Sequence, residues 1–158
     1  MDNRQNHKVA GVLVRPPLLF LSAIVVTLIT NWISPWPIFP EGKYVLLPAI
    51  LLLLLGALLL GSCLSYFAQA ETPVQTSQPT QMIVTKGPFG YSRNPIYIAL
   101  FMIYSGLVFL FNSWWGILLL PLLYVIMLYG VIHREERYLE ETFGETYINY
   151  KSRVRRWF

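Results

Sequence analysis

Four long apolar runs, separated by polar stretches of unequal length, set the pattern of the chain. They cover about Pro17–Ile33, Tyr44–Phe67, Pro95–Phe111 and Trp114–Ile132. A helix rises about 1.5 Å per residue, so about 20 residues cross the hydrocarbon core of a bilayer. The second and fourth runs are of that order. The first and third are a little short, a difference that flanking residues or local thinning of the bilayer absorb.

Behind the fourth run the pattern changes. Leu139, Phe143, Tyr147, Tyr150 and Val154 recur at spacings of three and four, which makes one face of an amphipathic helix. Gly144 interrupts it and is expected to bend or break it, since glycine costs about 1 kcal/mol against alanine inside a helix. The predicted fold is an all-α integral membrane protein, one domain over residues 1–158. It has four transmembrane helices, with spans three and four as a hairpin about Asn112 and Ser113. A cytoplasmic amphipathic helix follows over residues 133–158.

Composition supports that class. The chain is 55% hydrophobic and 13% charged, whereas soluble domains carry about 25% charged residues. Charge placement gives orientation. With four spans, Arg4, Lys8, Arg15, Lys86, Arg93, Arg134, Arg137, Lys151, Arg153, Arg155 and Arg156 share one side, and only Lys43 lies on the other. The positive-inside bias puts both termini in the cytoplasm; the expected location is a bacterial or archaeal cytoplasmic membrane. The first run has no small-x-small cleavage site behind it. Asn31–Trp36 reads as an interfacial belt, so this run is expected to stay as a helix. Arg153, Arg155, Arg156 and Trp157 suit an anionic membrane interface.

Some chemistry is not expected. Cys63, the single cysteine, sits in an apolar run and reads as a buried, inert thiol. His7 and His133 are far apart and no Cys/His cluster exists, so no metal site is predicted. No nucleic-acid partner is expected. Ala57, Gly61 and Ser65 form a small-residue stripe expected to receive a neighbouring helix. The Ala68–Asn94 connection is long, and its centre, ETPVQTSQPTQ, is polar; loops of that length are functional or disordered.

Two polar clusters need a reason. Gly87, Tyr91, Arg93, Asn94 and Tyr97 lie at the start of the third span, and Glu135 and Glu136 lie just past the fourth. A hairpin of spans three and four brings both to one end. Singly, each residue has an ordinary explanation: Arg93 as an interfacial anchor, Asn94 as an N-cap, Pro95 as a first helical residue, the acids as solvated or ion-paired. Together they offer free amides for a carboxylate, two acids for an ammonium group, and tyrosine faces for a ring or cation. A zwitterionic, aromatic, cationic ligand such as S-adenosylmethionine has each of those parts.

The arrangement GPFGYSRNPIYIA, two spans, then EERYLEETFGETYINYKSRVRRW resembles the isoprenylcysteine carboxyl methyltransferase and phospholipid methyltransferase superfamily. The likeness runs from about Thr72 to the C-terminus. It implies an integral membrane enzyme using S-adenosylmethionine on a lipid or other hydrophobic acceptor. It places Gly87, Arg93, Asn94, Pro95 and Tyr97 on the first cofactor motif and Glu135 and Glu136 on the acidic pair that meets the methionine end. It places Phe143, Gly144, Tyr147 and Tyr150 on the element that closes over the cofactor. Tyr91 and Arg153 are candidates for the acceptor. Asn94 stands where eukaryotic members have histidine, and Ala99 where glycine is usual. The acids are expected to meet the amino group or ribose and not the sulfur, because charge at the sulfonium would stabilise the ground state. Glu136→Ala is accordingly expected to abolish cofactor binding without unfolding the protein. No catalytic acid–base pair is evident. Carboxyl methylation of an isoprenylated cysteine competes with phospholipid N-methylation and small-thiol S-methylation. The reading of another class is a non-enzymatic membrane subunit or lipid-binding protein.

Overall fold

A computed structural model describes residues 11–40, 42–70 and 82–157. The centre of the long polar loop, at residues 71–81, and the N-terminal cations Arg4 and Lys8 lie outside the described residues, as does His7. Helix α1 spans Pro16–Ile33, and α2 spans Leu46–Gln69 behind a 3-10 turn at Gly42–Val45. A second 3-10 turn, Gly87–Gly90, precedes α3 at Pro95–Leu110. Helix α4, Trp114–Met127, runs through a π-helical turn at Leu128–Ile132 into α5, His133–Phe143, and α6 covers Glu145–Arg153. Among the described residues there is no strand.

Among the described residues, three continuous helical stretches are long and apolar enough to cross a membrane: Pro16–Ile33, Gly42–Gln69 and Trp114–Phe143. Helix α3 is apolar but shorter, at 16 residues. Proline opens α1 and α3, where its missing N–H leaves no bond unmade.

Helices α1, α3 and α4 enclose the core, built on Phe20, Tyr97, Tyr104, Leu123, Met127 and Val131. Two polar groups inside it satisfy each other. Tyr104 Oη lies 3.1 Å from Thr27 Oγ1 and 3.1 Å from the Gly116 carbonyl, while Thr27 donates to the Ala23 carbonyl. Without these bonds each hydroxyl would carry a desolvation cost in an apolar interior.

Helix α2 packs chiefly on α3, through residues other than the expected stripe. Ala57, Gly61 and Ser65 face outward, and nothing lies within 4 Å of a Cβ built at Gly61. The buried face carries Ala49, Gly56 and Cys63, spaced by seven. A Cβ at Gly56 would come 2.8 Å from the Ile103 side chain and 3.1 Å from the Ala99 carbonyl. Ala99 therefore belongs to the α2–α3 contact, fully buried.

The α3–α4 turn is held by Asn112 in a left-handed conformation, φ +50°, which Asn tolerates better than most residues. Its side chain brackets one residue of the α1–α2 connection. Nδ2 donates to the Phe39 carbonyl at 2.8 Å, and Oδ1 accepts from the Phe39 N–H at 2.9 Å. Gly144, also at φ +50°, breaks α5 from α6, as its position predicts.

Candidate functional site

The α3–α4 hairpin returns the chain to the end of the molecule where α3 began. Tyr97 and Glu135, 38 residues apart in sequence, meet there, with Tyr97 Oη donating to Glu135 Oε1 at 2.6 Å. Adjacent residues of a helix point about 100° apart. Glu136 therefore leaves Glu135 facing Tyr97 and turns to two arginines. Arg156 grips it with two of its nitrogens, Nε to Oε1 at 3.1 Å and Nη2 to Oε2 at 2.7 Å, and Arg93 Nη1 lies 3.2 Å from Oε1.

The segment after α6 is laid across the start of α3 like a strap. Arg93 N–H donates to the Arg155 carbonyl at 2.9 Å. Ser92 Oγ and Asn94 Nδ2 both donate to the Arg156 carbonyl, at 3.1 and 3.0 Å. Trp157 stacks beside Tyr124 and Phe101, with ring centroids 5.7 and 6.4 Å away. Tyr150 ties α6 to the 3-10 turn through its hydroxyl, which donates to the Phe89 carbonyl at 2.7 Å.

This geometry overturns the capping reading of Asn94 and bears on two other expected residues. Asn94 occupies the N-cap position of α3, but its side chain makes no capping bond and holds the strap instead. Glu136 is not an open acid, because its oxygens are already engaged by arginines. Arg153 is exposed, and its Nε bonds the Asn149 carbonyl of its own helix, so it does not join the cluster.

The other expected residues fall as follows. Arg93, Tyr97, Glu135, Glu136, Tyr147 and Tyr150 converge. Pro95 is the buried first residue of α3. Gly87 sits under the Tyr66 ring, which a Cβ would strike at 2.2 Å, and its φ of +60° favours glycine. Tyr91 is 83% exposed, at the rim of a groove beside the cluster. Arg156, Ser92 and Tyr66 escaped the sequence reading as site residues. The only signal for Arg156 was the basic RVRRW run, which also suits a membrane anchor.

Electrostatics distinguish the two acids. Burial pushes the Glu135 carboxyl up to about 7; the Tyr97 hydroxyl works against that shift, and the neighbouring Glu136 charge adds to it. Burial acts on Glu136 in the same sense but is outweighed. The Arg156 hydrogen bonds and the charges of Arg93, Arg156 and Lys151 hold its carboxyl below the usual range. Burial also raises Tyr147, to about 12, and the Glu136 charge adds to this while Arg93 opposes it. Glu136 is a fixed anion, whereas Glu135 changes charge near neutral pH.

Two groups in the cluster are left for a ligand. Arg93 is 9% exposed; its Nη1 is ion-paired with Glu136, and its Nε has no hydrogen-bond partner among the described residues. Buried donors in that state invite an acceptor. Glu135 has no cationic partner among the described residues. An acid without a cationic partner and an arginine with one unbonded N–H thus lie beside Glu136.

A family model described as phospholipid methyltransferase matches residues 44–146. The chain belongs to the phospholipid methyltransferase family. No curated protein and no solved structure matches it. Membership in the phospholipid methyltransferase family implies methyltransferase activity, and the long apolar helices make this member an integral membrane protein. The matched stretch includes α2, both halves of the hairpin and the two acids. The strap lies beyond it, so Arg156 and its grip on Glu136 are features of this chain that the match does not describe.

Proposed function

We propose that the chain transfers a methyl group from S-adenosylmethionine to a membrane-borne acceptor, and that the acceptor is the amine of a phospholipid headgroup. The observation that supports it best is the pair of incompletely satisfied groups beside Glu136. Arg93 offers its Nε–H for a carboxylate, and Glu135 offers an acceptor for an ammonium group. An amino-acid moiety carries both charges on one carbon. Bound in the cluster, the cofactor would supply an electrophilic methyl carbon.

The chain's own residues would then do the following. Arg93 holds the carboxylate and Glu135 the ammonium. Tyr97 fixes the Glu135 carboxyl in one orientation. Glu136 keeps Arg93 in place by sharing its charge with Arg156. Tyr147 and Tyr150 bring α6 over the cluster and limit the access of water. Holding the reactants in line is the main contribution such a site can make to displacement at a methyl carbon.

In this reading four helices cross the membrane. α3 does so as the shortest, and both termini, α5, α6 and the cluster are cytoplasmic. The charge asymmetry across the chain supports that orientation. Calorimetry of S-adenosylmethionine with purified protein in detergent tests the reading, followed by an acceptor screen with labelled cofactor. Binding with methyl transfer to phosphatidylethanolamine supports it. Transfer only to a carboxylate or thiol acceptor would replace the headgroup, and absence of binding by folded protein would remove the enzyme.

A further inference from the structure

A groove of about 320 Å³ runs along the contact of α2 with α3 and ends beside the polar cluster. Its polarity is graded. Leu59 of α2 and Ile98 of α3 form one end, Ser62 lies midway, and Tyr66, Tyr91 and Ser92 form the other. Leu59, Ser62 and Tyr66 share one face of α2 and extend over about 10 Å at 1.5 Å per residue. In the four-span arrangement Tyr66, Tyr91 and Ser92 lie at the cytoplasmic interface, and Leu59 and Ile98 lie in the hydrocarbon layer. The groove therefore carries the same gradient as the bilayer beside it, apolar at depth and polar at the rim.

Three further observations mark it as a seat rather than an irregularity between helices. Its wall is fixed, because the Tyr66 ring lies flush on Gly87, leaving no room for a side chain there. Its rim is continuous with the cluster. Ser92 lines the groove and also donates to the Arg156 carbonyl, and Arg93 is the next residue. Its volume is at the low end for small-molecule sites, about 300–1,000 Å³, which suits one chain segment and not a whole lipid.

We propose that the α2–α3 groove seats one hydrocarbon chain of the acceptor lipid, with the polar part of that lipid at Ser92 beside Arg93. The proposal deepens the methyltransferase reading by naming how the acceptor is held, and only the acceptor's role depends on that reading. Chain length and bulk would be selected at Leu59, Ser62 and Ile98. Headgroup chemistry would be selected at the rim.

The test uses the full chain in nanodiscs with phosphatidylethanolamine carrying a photoreactive diazirine in one acyl chain. Labelled positions are mapped by mass spectrometry. The proposal expects labelling at Leu59, Ser62 and Ile98 several-fold above that at Leu54 and Leu58, which face outward on the same helix. It expects Ser62→Trp to reduce groove labelling several-fold and leave Leu54 and Leu58 unchanged. Even labelling of both faces of α2, or labelling indifferent to Ser62→Trp in a variant that melts like wild type, overturns it. So does a cross-link joining two copies of the chain through the groove, which would assign it to self-association. Ile98→Trp gives a second filled groove should Ser62→Trp fail to fold. Cofactor binding is measured on the same samples. Its loss in wild type sinks the enzyme reading alone, and intact binding with even labelling sinks the groove alone.

Discussion

Tyr97 donates a hydrogen bond to Glu135 at 2.6 Å, tying the first turn of α3 to the first turn of α5 across the whole α3–α4 hairpin. The bond stabilises the ionised carboxyl, and burial opposes ionisation. Tyr97→Phe removes the stabilising half only. The pH at which Glu135 ionises should then rise. A hydrogen bond to a charged group is worth about 1.5–3 kcal/mol, so cofactor affinity at neutral pH should fall by roughly ten- to hundredfold. A pH series of binding isotherms on Tyr97→Phe checks this; an unchanged midpoint would show that the bond does not tune the acid.

Glu136→Ala should destabilise the fold. Removing one partner of a buried ion pair costs about 3–5 kcal/mol, because the charges left behind are uncompensated. Here Arg93 would be the stranded charge, with Arg156 partly exposed. The sequence alone suggested a variant that folds but cannot bind. Thermal unfolding in detergent decides: a melting point equal to wild type supports the sequence reading and contradicts the structural one.

Asn94 gives a sharper contrast. As an N-cap, Asp should serve as well as Asn. As a donor to the Arg156 carbonyl, Asp presents an oxygen to an oxygen. Asn94→Asp is predicted to be less stable than Asn94→Ala, which loses one hydrogen bond worth about 1 kcal/mol. Chemical denaturation of the two variants gives the order directly. Asp above Ala would return Asn94 to the capping role.

The two α2 glycines should behave oppositely. Gly56→Ala drives a methyl group toward the Ile103 side chain and the Ala99 carbonyl, and overpacking of this kind costs about 1–3 kcal/mol. Gly61→Ala meets nothing and should be neutral or slightly stabilising, since alanine is the better helix former. Melting temperatures of the pair test which face of α2 is packed.

These contrasts show where the sequence was informative. The apolar runs located the helices to within a few residues, because burial in lipid or core imposes a long apolar pattern. Pro95 and Gly144 marked helix boundaries through backbone chemistry that acts locally. The hairpin was legible from the two-residue polar turn at Asn112 and Ser113, and it alone brought Arg93 near the acids. What each acid faces was not legible. That depends on helical phase through the π turn at Leu128–Ile132 and on a strap whose bonds join residues 62 and 64 positions apart. The face of α2 was misread because small residues at every fourth position and at every seventh coexist on it. Only the partner helix selects between them.

Glu135 also sets the pH response. Its carboxyl ionises near 7 in the folded protein, well above the ordinary carboxylate value. The folded state thus binds the proton more tightly than the unfolded one. This group's contribution to stability is fully present below the ordinary value and is lost as pH rises through about 7. Cofactor binding should run the other way, because an ammonium group needs the ionised form.

The most direct measurement is calorimetric titration of S-adenosylmethionine into the wild-type protein and Glu135→Gln, each below and above pH 7. Wild type should bind, and bind more tightly at the higher pH, with proton release at the lower one. Glu135→Gln should bind weakly and without pH dependence. Equal affinity of the two proteins, or no binding by folded wild type, would contradict this reading.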